Sequence, residues 1–302
     1  MSCRFSGLWP AMVTPMDSKG KPCVQVLEQL VELFVEQNLD GLYLLGSTGQ
    51  GPLLSIEERC LVAQRVVEFA AGRIPIMVHV GSITTEDSVA LAKHAETIGA
   101  DAVSSVAPYY YGHTDVAVFE HYRLIGEATR LPMFVYHLAS INRLHLSAKD
   151  YVARLMELPH VRGMKFTDHN LYQLGLLNHH AGGKLQIFSG ADELLCQAVL
   201  SGAVGAIGTF YNLFGPCCRD ARESVLQGNI QNAQLFMMQF QSVIEQVLTR
   251  GDVWGFLRRA MYLRYEIDIG MPRAPLGVSL NEWKDQEIRV LIDRVFDAIA
   301  KD

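Results

Sequence analysis

Short apolar runs alternate along the chain with longer stretches in which apolar residues recur every three or four positions. The short runs read as buried strands, and the three-to-four spacing reads as helices that bury one face. Strands are expected over 7–16, 41–46, 75–80, 102–107, 132–137, 161–168, 185–188 and 205–209. Between them, Leu27, Leu30, Val31 and Phe34 share one helical face, and further helices are expected over 85–98, 115–129, 151–158 and 191–200. Two helix starts carry their own signal: Ser55 with Glu58, and Ser147 with Asp150, have the spacing of a capping box. Turn residues such as Asp17-Ser18-Lys19-Gly20 punctuate the units.

Eight strand-then-helix units, with strand starts roughly 20 to 35 residues apart, predict an α/β chain folded as a (β/α)₈ TIM barrel. A doubly wound open sheet is the alternative, but the glycine-rich dinucleotide turn it would carry after the first strand is absent. Beyond Thr209 the pattern stays helical, over about 215–227, 230–248, 254–265 and 280–299. One helix suffices to finish the barrel, so the rest form an appended C-terminal helical layer. No linker composition or charge block divides the chain, and a single domain over 1–302 is expected, with the barrel at about 7–228 and the C-terminal helices at about 229–302.

Composition changes this picture little. The 302 residues are 49% hydrophobic and 19% charged, ordinary for a globular protein with a real core. A net charge of -6 and the lack of a basic stripe argue against nucleic acid and against an anionic membrane as partners. Six cysteines without CxxC spacing read as free thiols. The first residues lack an apolar signal core and no later run reaches membrane-spanning length, so a cytoplasmic location is the expectation. Metal ligation finds no support either: the ten histidines include no HxH or HExxH spacing, and His179 and His180 are adjacent on a helix.

The chemistry concentrates on the sixth strand. In Val161-Arg-Gly-Met-Lys-Phe-Thr-Asp168, strand alternation puts Gly163, Lys165 and Thr167 on one face and Met164 with Phe166 on the other. If the apolar pair packs under helices, Lys165 points to the opposite side, where its amine is either paired or chemically useful. Amines held among apolar groups are the natural nucleophiles toward a carbonyl. Barrel enzymes keep their working groups at the C-terminal ends of the strands. Gly46-Ser47-Thr48-Gly49, Tyr136, Lys165 with Thr167, and Thr209 all fall at that rim. The Ser47-Thr48 loop suits a carboxylate or phosphate, and Tyr136 can meet Lys165 from the neighbouring strand. Read alone, each also fits a bland role: an ion-paired strand lysine, a plain turn, a core tyrosine, and packing for Tyr109-Tyr110-Tyr111.

Together, Gly46-Ser-Thr-Gly49, Tyr136 after Phe134-Val135, Gly163-Met-Lys-Phe-Thr167, and Gly190-Ala-Asp-Glu193 before Gly205-Ala-Ile-Gly-Thr-Phe-Tyr-Asn212 resemble the N-acetylneuraminate lyase and dihydrodipicolinate synthase family, from about Gly7 to Pro275. The resemblance implies a pyruvate-dependent class I aldolase that needs no cofactor beyond a lysine Schiff base. It implies that Lys165 forms that bond, that Tyr136 shuttles protons, that Ser47 and Thr48 bind the 2-oxo acid's carboxylate, and that Tyr110 is lent across an interface in a homotetramer. Synthases of the family carry an arginine where Ile141 stands, whereas Gly190, Asp192 and Glu193 match the lyase pattern for a sugar acid's hydroxyls, and Thr209 stands where lyases usually have serine. Cleavage of N-acetylneuraminate to N-acetylmannosamine and pyruvate is therefore the expected reaction, with another 2-oxo-acid aldolase or hydratase-aldolase as the alternative. A non-catalytic barrel that binds a 2-oxo acid is a third. Gln50, His137-Leu138-Ala139, Asp168 and His169 depart from the lyase pattern and leave the aldehyde half of the substrate open.

Overall fold

The computed structural model describes residues 5–141, 145–158, 160–277 and 282–299. Eight strands run through it: β1 (Gly7–Pro10), β2 (Leu42–Leu44), β3 (Ile76–His79), β4 (Ala102–Val106), β5 (Met133–Leu138), β6 (Val161–Thr167), β7 (Gln186–Ser189) and β8 (Gly205–Gly208). They pair in parallel in the order β1-β8-β7-β6-β5-β4-β3-β2. Between β1 and β2 there is no ladder among the described residues: an isolated parallel bridge, Ala11 to Tyr43, joins the ends, supported by the Met12 N–H donated to the Tyr43 carbonyl at 2.9 Å and by the Asp40 N–H donated to the Leu8 carbonyl at 3.1 Å. The sheet thus closes into the expected (β/α)₈ barrel with one thin seam.

Each strand is followed by a helix: α1 (Val24–Glu36), α2 (Ile56–Ala70), α3 (Thr85–Thr97), α4 (Asp115–Glu127), α5 (Ala148–Glu157), α6 (Leu171–Ala181), α7 (Leu195–Leu200) and α8 (Tyr211–Leu226). Leu27, Leu30, Val31 and Phe34 of α1 are buried as their spacing requires. Alternation along the strands splits the core into two layers. Trp9, Tyr43, Met77, Phe134, Phe188 and Ile207 pack against one another inside the barrel. Their strand neighbours, among them Leu8, Leu42, Val78, Val135, Met164 and Phe166, pack outward under the helices.

Local signals account for most helix ends. Ser55 and Glu58 form the reciprocal capping box in full. Ser147 caps α5 by accepting the Asp150 N–H at 3.1 Å, but the Asp150 carboxylate takes the Ser147 hydroxyl at 2.6 Å, and the helix starts at Ala148 rather than at 151. The helix expected over 191–200 begins instead as a single 3₁₀ turn, Asp192–Leu194, because Asp192 turns its side chain toward the next strand. α8 begins at Tyr211, before the expected 215, and carries a non-helical Phe214 (φ -107, ψ 17) just before Pro216. Pro216 has no N–H to continue the ladder, so two helical pieces meet there at a kink.

The C-terminal layer comprises α9 (Ile230–Arg250), α10 (Val253–Tyr265) and α11 (Asp285–Phe296). α11 is shorter than the expected 280–299, since Lys284 is its N-cap; positions 280 and 281 lie outside the described residues. Phe210 and Phe214 at the head of α8 pack on Phe240 of α9, with ring centroids 6.3 and 5.9 Å apart. That contact brings α9 and α10 over the C-terminal end of β8. Among the described residues no helix is long and apolar enough to cross a membrane. Cys23, Cys60, Cys196, Cys217 and Cys218 are free thiols; Cys3 lies outside the described residues.

Candidate active site

Lys165 is mid-strand in β6, and only 5% of it is exposed. Met164 and Phe166 face the outer helices, so alternation sends Lys165 into the barrel. Register pairs it with Tyr136 on β5 and Phe188 on β7. Its Nζ sits over two ring faces, 4.4 Å from the Tyr136 centroid and 4.7 Å from that of Tyr43. Tyr136 and Tyr43 meet edge to face at 6.3 Å. A ring face carries negative charge density, and each such contact holds an amine in place by roughly 0.5–2 kcal/mol without neutralising it as a carboxylate would.

A second layer fixes the two rings. His79 lies 5.9 Å from Tyr136 and 6.2 Å from Tyr43, ring to ring. Burial holds its imidazole well below the usual range, and the nearby Arg59 and Lys165 charges push the same way, so the ring is neutral. Nε2 accordingly accepts the Val106 N–H at 3.2 Å, which leaves the proton on Nδ1. Arg59, itself buried, donates from Nη2 to the His79 carbonyl at 2.8 Å. The Tyr43 hydroxyl bonds Ser104 at 3.1 Å, while burial, and then Tyr136, push its phenol well above the ordinary value.

Beside the lysine, past Gly190 and Thr167, opens a cavity of about 420 Å³, walled by Ala139, Ser140, Thr167 to His169, Gly190 to Glu193, Thr209 and Phe210; Lys165, Tyr136, Ser47 and Thr48 are not on its wall. Ile244 and Leu248 of α9 and Val253 of α10 close its outer side. Gly190 is needed by close approach: a Cβ there would lie 1.8 Å from Thr167 Oγ1 and 2.9 Å from Lys165 Cε. The Thr167 hydroxyl is buried and has no hydrogen-bond partner among the described residues, which leaves it available to a ligand. Thr48 and Thr209 join the rim through their hydroxyls, 2.7 Å apart.

The remaining expected residues divide. Ser47 is exposed on the loop after β2. Asp192 is buried, and its carboxylate accepts the Phe210 N–H at 2.7 Å. Burial pushes this acid up to about 7, against the pull of the Phe210 N–H. Glu193 reaches the cavity and pairs with His169 at 2.5 Å. Tyr110 is 85% exposed, adopts φ 86°, and meets Tyr111 edge to face at 5.0 Å, so within one chain it stands apart from the buried lysine. Ile141 is also exposed. Gln50, a departure from the lyase pattern, is a buried tie: it donates to the Thr14 carbonyl at 3.3 Å and accepts the Arg273 N–H at 2.8 Å. His137 stacks on Phe166 on the outer side of the strands, 3.8 Å from the Asp168 carboxylate.

Tyr43, His79 and Arg59 were absent from the sequence expectation, as were the three apolar residues of α9 and α10. Tyr43 had a usable signal, because it alternates with Leu42 and Leu44 and must share the interior with Lys165. The others had none, since their contacts join segments far apart in the chain.

The family model of the dihydrodipicolinate synthetase family matches residues 4–294. The chain belongs to that family. N-acetylneuraminate lyase of Citrobacter koseri is 33% identical over 278 residues, covering 92% of this chain and 93% of that protein. The crystal structure of N-acetylneuraminate lyase from Mycoplasma synoviae is 28% identical, with a TM-score of 0.86 and full coverage of both chains. A Ruminococcus gnavus sialic acid aldolase superposes with a TM-score of 0.92 over 98% of each chain at 24% identity, a likeness of fold.

Proposed function

We propose that this member of the dihydrodipicolinate synthetase family is a carbon–carbon lyase that cleaves N-acetylneuraminate reversibly to N-acetylmannosamine and pyruvate through a Schiff base on Lys165. The observation that carries the reading is the buried lysine amine over the rings of Tyr136 and Tyr43, packed against Gly190 on the wall of a cavity of about 420 Å³. The names of the relatives that align over nearly the whole chain support the substrate. The neutral amine of Lys165 adds to the C2 carbonyl of the open-chain sugar acid, and the carbinolamine, taking a proton from the Tyr136 hydroxyl, loses water to give the protonated imine and leaves Tyr136 as the phenolate. Tyr136 takes the proton of the C4 hydroxyl, the C3–C4 bond breaks, and its electron pair flows into the protonated imine to form the enamine. The aldehyde N-acetylmannosamine leaves. The enamine gains a proton at C3, and water returns the amine while releasing pyruvate. Ser47 and Thr48, with Thr209 behind Thr48, hold the pyruvyl carboxylate.

Tyr110 is exposed in a loop after β4, and the reading gives it to a neighbouring subunit's site in a homotetramer. Sedimentation of the wild type, with a kcat loss in Tyr110→Phe, tests that part. The central test is borohydride reduction with pyruvate followed by peptide mapping. An adduct on Lys165, lost in Lys165→Ala, is expected; labelling of another lysine, or none, sinks the mechanism. Cleavage of N-acetylneuraminate by the wild type tests the substrate.

A further inference from the structure

Two acids line the cavity, but they are not equivalent. Asp192 is committed: its carboxylate accepts the Phe210 N–H at 2.7 Å and stands where a Cβ on Gly208 would lie, 1.7 Å from Oδ1. It pins the turn from β8 into α8. Glu193 is one-third exposed and opens on the cavity, and its orientation is set from two sides. Its main-chain carbonyl accepts Gln241 Nε2 of α9 at 2.7 Å, and its Oε1 meets His169 Nε2 at 2.5 Å.

His169 owes that reach to the loop between β6 and α6. The Asp168 carboxylate accepts the Asn170 N–H at 3.0 Å, and Asn170 in turn caps α6 by accepting the Gln173 N–H at 3.0 Å. Two successive side-chain turns leave His169 at the apex, 77% exposed, facing the 3₁₀ turn that carries Glu193.

We propose that His169 is a specificity-determining residue that acts beside Glu193 in receiving the hydroxyl tail of the aldehyde half. A vicinal diol offers both donors and acceptors on adjacent carbons. The pair answers with carboxylate lone pairs beside a second ring nitrogen, held at fixed spacing before the substrate arrives. The ligand class is thus a polyhydroxy aldehyde, and this inference rests on the aldolase reading above.

The experiment is condensation of pyruvate with N-acetylmannosamine and with glycolaldehyde, which has no tail to reach the pair. kcat/KM is measured for the wild type, His169→Ala, His169→Gln, Glu193→Gln and the double variant His169→Ala/Glu193→Gln. The long-to-short selectivity ratio should fall about tenfold in His169→Ala, mainly through KM for the long aldehyde. His169→Gln, which keeps an N–H donor, should recover part of it, and the double variant should fall no further than Glu193→Gln alone. An unchanged ratio in His169→Ala, or losses that simply add, overturns the proposal. Wild-type enzyme that accepts glycolaldehyde but not N-acetylmannosamine sinks the N-acetylneuraminate reading instead. The ratio is then taken with mannose or xylose, and refusal of every polyhydroxy aldehyde overturns the present inference as well.

Discussion

At the scale of single residues, the carboxyl of Asp192 links the site to pH. Its folded value of about 7 lies above the ordinary 3.8, so the folded chain holds this proton more tightly than the unfolded chain does. The stability it contributes is therefore full below about pH 4 and is lost as the pH rises toward about 7. Asp192→Asn cannot ionise, so its Tm relative to wild type should improve steadily from pH 4 to pH 7; a difference that stays flat with pH would contradict the assignment. Thr48→Val removes the hydroxyl partner of Thr209, and a rise in KM for pyruvate with a loss of about 1 kcal/mol in stability is expected from paired kinetic and denaturation measurements. Lys165 was legible because a charge inside an apolar strand demands a reason. The bond that Asp192 accepts from the Phe210 N–H was not legible, since that partner lies 18 residues away on another strand's turn, beyond any local pattern.

At the scale of elements, the period-two and period-3.6 patterns located every strand, and what they missed were the places where a tertiary contact overrode a local signal. Asp192 bends the head of α7 into a 3₁₀ turn, and the aromatic contacts of Phe210 and Phe214 with α9 accompany an early start for α8 despite Pro216. Gln50 teaches the same lesson at the loop after β2. Its departure from the lyase pattern reads as a change of substrate, yet its amide joins that loop to Arg273 instead. Gln50→Ala should leave the Thr14 carbonyl and the Arg273 N–H without partners and cost about 1–3 kcal/mol in chemical denaturation. Selectivity among aldehydes should move much less than in His169→Ala; the reverse ranking would restore Gln50 to the substrate site. At the end of β7, Gly190→Ala forces a methyl against Thr167 and Lys165, so borohydride trapping should slow at least about tenfold while the fold persists.

At the scale of the whole molecule, the C-terminal layer and the barrel share one cavity, because Ile244, Leu248 and Val253 complete a wall begun by β6, β7 and β8. Barrel and layer are accordingly expected to melt in one cooperative transition, monitored together by calorimetry and near-ultraviolet dichroism. Two separated transitions would mark them as independent units. The seam between β1 and β2 has its own consequence. Seven of the eight junctions are strand ladders, whereas this one is an isolated bridge with a few flanking hydrogen bonds, and the bridge residue Tyr43 is also a platform for the lysine. Transient opening there would swing the platform away from the amine, so opening of this joint is expected to disturb the nucleophile. Isotope exchange at the Met12 amide, which bonds the Tyr43 carbonyl, would report that breathing, and a covalently held pyruvate would act as the suture that quiets it.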